Sequence, residues 1–523
     1  MTMKKNKSNS VVKHGLTVIT VSLLTVLCTV LVACEKKDVV ETRDWNAYEG
    51  IYPSKDEAAQ ATYYKPYAGY VGDVMPFYDP VSKNFKIFYL QDFRPNPEGT
   101  YHPIWGVTTQ DGASYQSLGK CVPCGSLDEQ DAALGTGSAI YCAADKKYYL
   151  YYTGERYAPR MKEGDNMQAV MRAWSSDGSK WTKDPSFVLR GNDYGYDNRD
   201  FRDPLLRQDA DGYHMYIATR KGGKGTIVEF VSDDCKKWTC AGDFMNMMWD
   251  RFYECPDIFQ MGDWWYLVYS DQTGFMRRVQ YFKGKTLADL KACTAGDAGT
   301  WPDDHEGFLD SRGMYAGKTA SDGTNRYLWG WVPTRKGNNT LNVGSDTEEP
   351  EWGGNLVCHR LYQHADGSLT LAPVDAIAAK YTQSQEASAR LMYHNHIRLK
   401  ITTESADDDF GISLVCSEDT AFTMRVHAES STRRKINFET EGKSTGCQFV
   451  GWIDGYMFNT PADNIYQVDV FTDNSVVTLY LSNSQGEPIA NYTNRIYGIA
   501  HNQWRVNTYD KNVKVENIKI TTY

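Results

Sequence analysis

Hydrophobic positions in this chain fall into short runs of aromatic and β-branched residues and not into stripes of helical period. Five such runs stand out: Phe85–Leu90, Tyr148–Thr153, Tyr213–Thr219, Trp264–Ser270 and Arg326–Val332. Their centres, near Tyr89, Tyr151, Tyr216, Leu267 and Trp329, lie 62, 65, 51 and 62 residues apart. A polar signal keeps phase with them. Ser176-Asp177-Gly178-Ser179-Lys180-Trp181 recurs as Asp233-Asp234-Cys235-Lys236-Lys237-Trp238, with a degraded copy at Gln110-Asp111-Gly112-Ala113-Ser114-Tyr115. Asp-Gly chemistry makes each a turn leading into a strand. An irregular β-sandwich shows such runs without so steady a period. Units of this length, each holding about four short strands, predict an all-β fold with a five-bladed β-propeller over residues 61–380.

Beyond about residue 385 the period is lost. Ile412–Ser417, Phe422–Glu429, Lys435–Thr440, Tyr466–Thr472, Val476–Ser482 and Val513–Thr521 alternate as short strands, which predicts a C-terminal β-sandwich over residues 381–523. Gln383–Arg390 reads as a short linker helix between the two domains.

Against this frame three acids line up. Asp73 precedes its aromatic run by 12 residues, Asp203 by 10 and Glu254 by 10. Each therefore falls on the first strand of blade one, three or four, at the same point of the repeat. First strands line the propeller axis, so the three carboxylates are expected to converge at one end of the central funnel. Carboxylates gathered in this way point to glycoside hydrolysis.

Composition narrows the class. The 523 residues carry a formal charge of −10 with 23% charged residues, which offers no basic surface for nucleic acid. Aromatic content is 13%, with 36 Tyr and 14 Trp, and strand packing accounts for most of these rings. The N-terminus reads as a targeting segment. Lys4, Lys5, Lys7 and Lys13 precede an apolar run from Leu16 to Ala33, and Leu31-Val32-Ala33-Cys34 has the form of a bacterial lipobox. Residues 1–34 are thus a lipoprotein signal peptide with Cys34 as the lipidated residue, and residues 35–60 a polar tether. An uncleaved membrane anchor is the rival reading. Ten cysteines remain in the exported body. Cys121-Val122-Pro123-Cys124 is a lone CxxC pair, and Cys235 and Cys240 bracket a hairpin, so a local disulfide or free buried thiols are expected and no zinc site. Lys221-Gly222-Gly223-Lys224-Gly225 lacks the spacing of a phosphate-binding loop and reads as a hairpin turn.

The motifs, taken together, resemble glycoside hydrolase family 32, the invertases, inulinases and levanases. Arg202-Asp203-Pro204 is similar to the family's RDP motif, and Glu254-Cys255 within Tyr253–Asp257 to its EC motif. Leu134-Gly135-Thr136-Gly137-Ser138-Ala139 resembles FSGSA, and Ile104-Trp105-Gly106 resembles HWGH. Leu309-Asp310 with Gly313-Met314-Tyr315-Ala316 resembles the start of the fifth blade, and Trp352-Gly353-Gly354 through Arg360-Leu361 its close. The stretch VDVFTDNSVVTLYL resembles a strand pair of the family's sandwich. One block departs. Where the family has WMNDPNG, this chain has Tyr70-Val71-Gly72-Asp73-Val74-Met75-Pro76. Asp73 takes the nucleophile's place there. Asp79 competes for it, but beside Pro80 it is expected at a solvent-facing turn.

The resemblance implies a retaining β-fructofuranosidase acting on fructans, levan before inulin and in the endo mode. Asp73 would be the nucleophile, Glu254 the general acid and base, and Asp203 with Arg202 the holders of the sugar. Gln91, Trp105 and Ser138 are candidate contacts to the fructosyl unit, and Trp331 and Trp352 candidate stacking surfaces, with core packing favoured for Trp331. No cofactor or metal is implied. The partners are a fructan polymer or oligomer, the membrane through the lipid anchor, and other glycan-uptake proteins. The location is the outer membrane, at the cell surface or the periplasmic face. An exo-acting fructanase, a five-bladed arabinanase- or xylosidase-like glycosidase, and a non-catalytic glycan-binding propeller are the alternatives.

Overall fold

A computed structural model describes residues 62–93, 101–246, 251–271, 278–293, 306–335, 350–442 and 451–523. The expected signal segment, lipidation site at Cys34 and tether lie outside the described residues. Among those residues, no helix is long and apolar enough to cross a membrane.

Five blades follow the periodicity. The first holds β1 (Tyr70–Asp79), β2 (Asn84–Asp92), β3 (Ile104–Thr109) and β4 (Gln116–Val122). The second holds β5 (Ala133–Cys142), β6 (Lys147–Glu155), β7 (Gln168–Ser175) and β8 (Thr182–Leu189). The third runs through β9 (Phe201–Asp209), β10 (Gly212–Lys221), β11 (Lys224–Ser232) and β12 (Thr239–Asn246). The fourth is β13 (Glu254–Met261), β14 (Trp264–Asp271), β15 (Arg278–Gly284) and β16 (Glu306–Leu309). The fifth is β17 (Tyr315–Ser321), β18 (Arg326–Arg335), β19 (Pro350–Gln363) and β20 (Leu369–Ala372). All are antiparallel meanders, and β1 also pairs with β19 at Val71 and Gly354, which joins the last blade to the first.

The five aromatic runs are the second strands, β2, β6, β10, β14 and β18. Each has a blade packed on both of its faces, so nearly every residue of β2 and β6 is buried and alternation disappears. The outermost strands β4 and β8 face water and are mostly exposed or half-buried. The repeated polar turn has a physical role. In blades one, two and three, Asp111, Asp177 and Asp234 each accept two backbone N–H groups at 2.8–2.9 Å, while Gly112, Gly178 and Cys235 turn the chain at φ 70°, 69° and 57°. The aromatic residue that closes each turn then packs on the second strand of the preceding blade. Trp181 meets Phe88 edge-on at 5.4 Å, Trp238 meets Tyr151 at 5.6 Å, and the Tyr115 hydroxyl accepts the Trp329 indole N–H at 3.2 Å. The motif repeats because it latches neighbouring blades. Lys221–Gly225 is a hairpin turn between β10 and β11, with Gly222 and Gly223 at φ 59° and 83°.

The sandwich stacks two antiparallel sheets on an apolar core that includes Ile397, Phe422, Phe438 and Leu479. One sheet runs β21 (Gln383–Gln385), β31 (Lys514–Thr522), β22 (His394–Thr402), β27 (Ile465–Asp473), β28 (Val476–Ser482) and β29 (Pro488–Arg495). The other runs β26 (Gly451–Asn459), β25 (Arg433–Gly442), β24 (Thr420–Ala428), β23 (Phe410–Ser417) and β30 (Trp504–Thr508). The expected linker helix at Gln383–Arg390 is corrected. Gln383–Gln385 pairs with Ile520–Thr522 as an edge strand, because the sheet offers unpaired backbone groups there, and the short helix lies earlier, at Asp375–Ala378. Cys121, Cys124, Cys142, Cys235, Cys240, Cys255, Cys293, Cys358 and Cys416 are free thiols, so the CxxC pair forms no local disulfide.

Buried polar groups fasten the sandwich to the propeller. Asp310, at φ 70°, accepts the N–H groups of Ser311 and Thr493, each at 2.7 Å. Arg495 donates to the Pro333 and Val332 carbonyls at 2.7 and 2.9 Å and to Ser475 Oγ at 2.7 Å. Asp473 accepts the N–H groups of Thr62 and Tyr63 at 2.8 and 2.6 Å. Truncating Arg495 strands these carbonyls without water. Arg495→Ala is therefore expected to lower stability by about 3 kcal/mol, read as a fall in the urea midpoint.

Candidate active site

Every blade's first strand carries a β-bulge at one place. Val71, Gly135, Arg202, Glu254 and Tyr315 lie opposite Gln91, Thr153, Ala218, Ser270 and Trp331, and the register then slips. The residues that follow are Gly72, Thr136, Asp203, Cys255 and Ala316. Asp203, Cys255 and Ala316 sit in the left-handed region at φ 58°, 50° and 52°, a costly conformation that ladder and side-chain bonds must hold in place. The expectation that the three acids share one repeat position is refined by this register. Glu254 stands just before the slip, Asp203 on it, and Asp73 one residue after the equivalent point. All three line one cavity of about 630 Å³ at the start of the inner strands.

Their surroundings differ. Asp203 is 4% exposed. It accepts the Thr136 hydroxyl on one oxygen and the Cys255 N–H at 2.9 Å on the other, while its own N–H donates to Thr153 Oγ1 at 2.9 Å. Glu254 is held from two sides, by Arg202 Nη2 at 3.0 Å and by the Tyr315 hydroxyl. Arg202 also pairs with Asp200 and lies 4.0 Å above the Phe252 ring. Asp73 accepts the indole N–H of Trp331 at 2.8 Å on Oδ1, with no other hydrogen bond among the described residues. Burial and the negative charges of Asp203 and Glu254 push the Asp73 carboxyl up to about 7. Burial also raises Glu254, against the pull of Arg202 and Tyr315. Asp73 therefore changes its protonation near neutral pH.

The first-block departure acquires a geometric meaning. A Cβ on Gly72 would meet the Trp352 indole at 2.0 Å, so Trp352 from β19 fills the space beside Asp73 that a side chain at position 72 would take. Its ring lies 4.2 Å from His102 and 5.9 Å from Trp331, and His102 Nε2 is 3.3 Å from Asp92 Oδ1. Trp352, His102 and Asp92 thus form one wall of the cavity.

Three expected sugar contacts lie elsewhere and are corrected. Gln91 is buried, and its amide is taken up by neighbours: it donates to the Ala68 carbonyl at 2.6 Å and accepts from Tyr89. Trp105 packs edge-on against Phe93 between the blades. Ser138 Oγ donates to the Pro204 carbonyl at 3.0 Å and accepts the Leu206 N–H at 2.6 Å, tying blade two to blade three. Asp79 lies at the other end of β1. It is fully buried and not solvent-facing, paired with Lys86 at 2.7 Å and bonded to Val81, Ser82 and Tyr148. Trp331 is 2% exposed and packs in the core, yet also reaches Asp73. Thr136, Tyr315, His102 and Asp92 escaped the sequence reading. Thr136 and Tyr315 sit within recognised motifs; nothing in the sequence marks His102 or Asp92.

Comparisons with known proteins bear on the family and the fold. The profile described as "Glycosyl hydrolases family 32 N-terminal domain" matches residues 64–373, and that described as "GH32, BT1760-like, C-terminal domain" matches residues 387–520. The chain is 22% identical over 430 residues to the sucrose-6-phosphate hydrolase of Escherichia coli, covering 75% of this chain and 80% of the relative. It is 26% identical over 196 residues to the fructan 6-exohydrolase of Beta vulgaris, covering 34% and 31%. Among solved structures, the sucrose-6-phosphate hydrolase of Lactobacillus gasseri superposes with a TM-score of 0.69 at 18% identity, covering 88% of this chain and 92% of the other. The fructan 1-exohydrolase IIa of Cichorium intybus gives 0.67 at 15% identity, covering 88% and 97%. The structural likenesses establish the shared fold of propeller and sandwich. The N-terminal match spans more than half of the sequence on its own, and by it the chain belongs to glycosyl hydrolase family 32, a family of glycoside hydrolases that act on fructosides.

Proposed function

We propose that this protein is a retaining β-fructofuranosidase that hydrolyses fructan chains, levan before inulin and at internal linkages. The observation that carries the mechanism is the contrast between Asp73 and Glu254. Asp73 has one oxygen fixed by an indole and the other without a hydrogen bond among the described residues, as an attacking carboxylate requires. Glu254 is held by donors on both oxygens, which fix its direction while burial keeps its proton affinity high. In the first step Asp73 attacks the anomeric carbon, the glycosidic bond breaks, and Glu254 gives its proton to the leaving oxygen. In the second, Glu254 takes a proton from water as that water's oxygen displaces Asp73 from the fructosyl ester. The productive form has Glu254 protonated and Asp73 ionised, and Asp73 reaches that state as pH rises through about 7. Asp203, buried and already bonded to Thr136 and Cys255, presents fixed negative charge to the ring hydroxyls and to the oxocarbenium-like transition state. Trp352 offers an apolar wall for the furanose in place of the family's first-block side chains.

The polymer preference draws on the exported N-terminal segment, since a lipid-anchored enzyme at the outer membrane, tethered through Cys34, meets polysaccharide. The relative named as a fructan 6-exohydrolase supports a fructan substrate. The test is a product profile from purified protein given levan and inulin separately and sampled early. A ladder of oligosaccharides from levan is expected. Free fructose as the sole product would replace endo with exo action, and no release from either polymer would overturn the reading.

The Tyr315 hydroxyl bonds the charged form of Glu254 and so lowers its pKa. Tyr315→Phe removes that bond and raises the pKa. The general acid then keeps its proton to higher pH. The basic limb of the kcat/KM profile is expected to move up by about half a unit to one unit.

A further inference from the structure

The end of the propeller axis opposite the carboxylates encloses a second cavity, of about 380 Å³, to which the inner strands of all five blades contribute. Its charged side chains are poorly matched. Lys318, from β17, is 2% exposed, and among the described residues its ammonium has one hydrogen bond, to the Gly137 carbonyl at 3.0 Å. Arg326 lies 4.0 Å over the Phe259 ring and donates to Thr319 Oγ1 at 2.8 Å. Among the described residues neither cation has a carboxylate within ion-pairing distance, and Asp257 acts on Arg326 only from beyond it. Arg207 lies 4.6 Å over Trp265 and reaches Asp209 through Nη2, but its Nε and Nη1 are buried without a partner. The acids at this end are already engaged. Asp257 accepts both the N–H and the hydroxyl of Thr319 on Oδ2, at 2.8 and 2.5 Å, and Asp209 faces Arg207 and His214. An ammonium carries three donors and a guanidinium five, so this cavity holds more N–H groups than its walls satisfy. Buried donors left unpaired are costly, and buried cations without counter-charge more so.

We propose that this axial cavity is a binding site for a small inorganic oxyanion, such as phosphate or sulfate, held by Lys318, Arg326 and Arg207. The anion supplies the missing acceptors and counter-charge at the point where the five inner strands meet. It acts on the closure of the propeller and not on the reaction, whose groups lie at the other end of the strands.

The test is thermal unfolding of the purified protein in inorganic phosphate, titrated against chloride at constant ionic strength. A saturable rise in Tm of about 3 °C at a hundredfold excess over Kd is expected. Arg326→Gln and Lys318→Met should each abolish or weaken the rise, and Arg326→Gln serves if Lys318→Met fails to fold. Fructan hydrolysis by wild type should be unaffected by phosphate over the same range. No saturable rise in wild type, or an equal rise in Arg326→Gln, would overturn the proposal. Competition between phosphate and substrate would also overturn it, by placing the anion among Arg202 and the catalytic carboxylates.

Discussion

Asp73→Asn is expected to lower kcat on levan by about four orders of magnitude or more, because the fructosyl ester has no atom to form on. The substitution is nearly isosteric, and the amide oxygen can still accept the Trp331 N–H. Loss of activity should therefore come without loss of fold. Stability supplies the control. The folded-state carboxyl is raised to about 7 against an unfolded value near 4. Below both values the carboxyl is neutral in both states and Asp73 costs nothing. As pH rises from about 4 to 7 the unfolded chain releases the proton more readily, so the wild type pays a growing penalty that levels off above 7. Asp73→Asn should thus melt above the wild type at pH 8, with the gap closing toward pH 4. An inactive variant that melts lower at every pH would mean that Asp73 is a structural residue.

The second large effect belongs to Glu254. Glu254→Gln is expected to lose about 10²- to 10⁴-fold on levan, the range for a missing general acid. Its diagnostic feature is a dependence on the leaving group. A fructosyl fluoride departs without protonation, so ester formation should survive and turnover should stall at hydrolysis, where a base is needed. Azide, which attacks without a base, should then restore turnover and yield a fructosyl azide of retained configuration. Loss of the same size on the fluoride, with no rescue by azide, would assign Glu254 to substrate holding and remove the two-step mechanism.

Both predictions depend on residues at different levels of legibility. Asp203 and Glu254 were visible because each opens a unit whose next landmark, an aromatic second strand, recurs at near-constant distance. Asp73 was visible by nearly the same spacing despite altered neighbours, and its greater distance comes from the β1–β2 turn, four residues long (80–83) where the β9–β10 and β13–β14 turns have two. Gln91, Trp105 and Ser138 were misplaced because a motif locates a residue along its strand, whereas packing decides what the side chain meets: here the Ala68 carbonyl, the Phe93 ring and the Pro204 carbonyl. His102 and Asp92 were illegible because they gain their place only by meeting Trp352, some 250 residues away in the chain.

Neighbouring residues set the local rules: where aromatic runs make strands, where Asp-Gly chemistry turns them, and how many units repeat. Those depend on side chains within a few positions of one another, and they suffice for the propeller and the sandwich. Tertiary structure alone decided what long-range packing controls. It made Gln383–Gln385 an edge strand, since an unpaired sheet edge outweighs weak helical propensity. It buried Asp79 against Lys86 and left the thiols of Cys121 and Cys124 unjoined. It seated Trp352 where Gly72 leaves room, and it brought three carboxylates from three successive positions of a bulge to one cavity, where burial and mutual repulsion set their proton affinities.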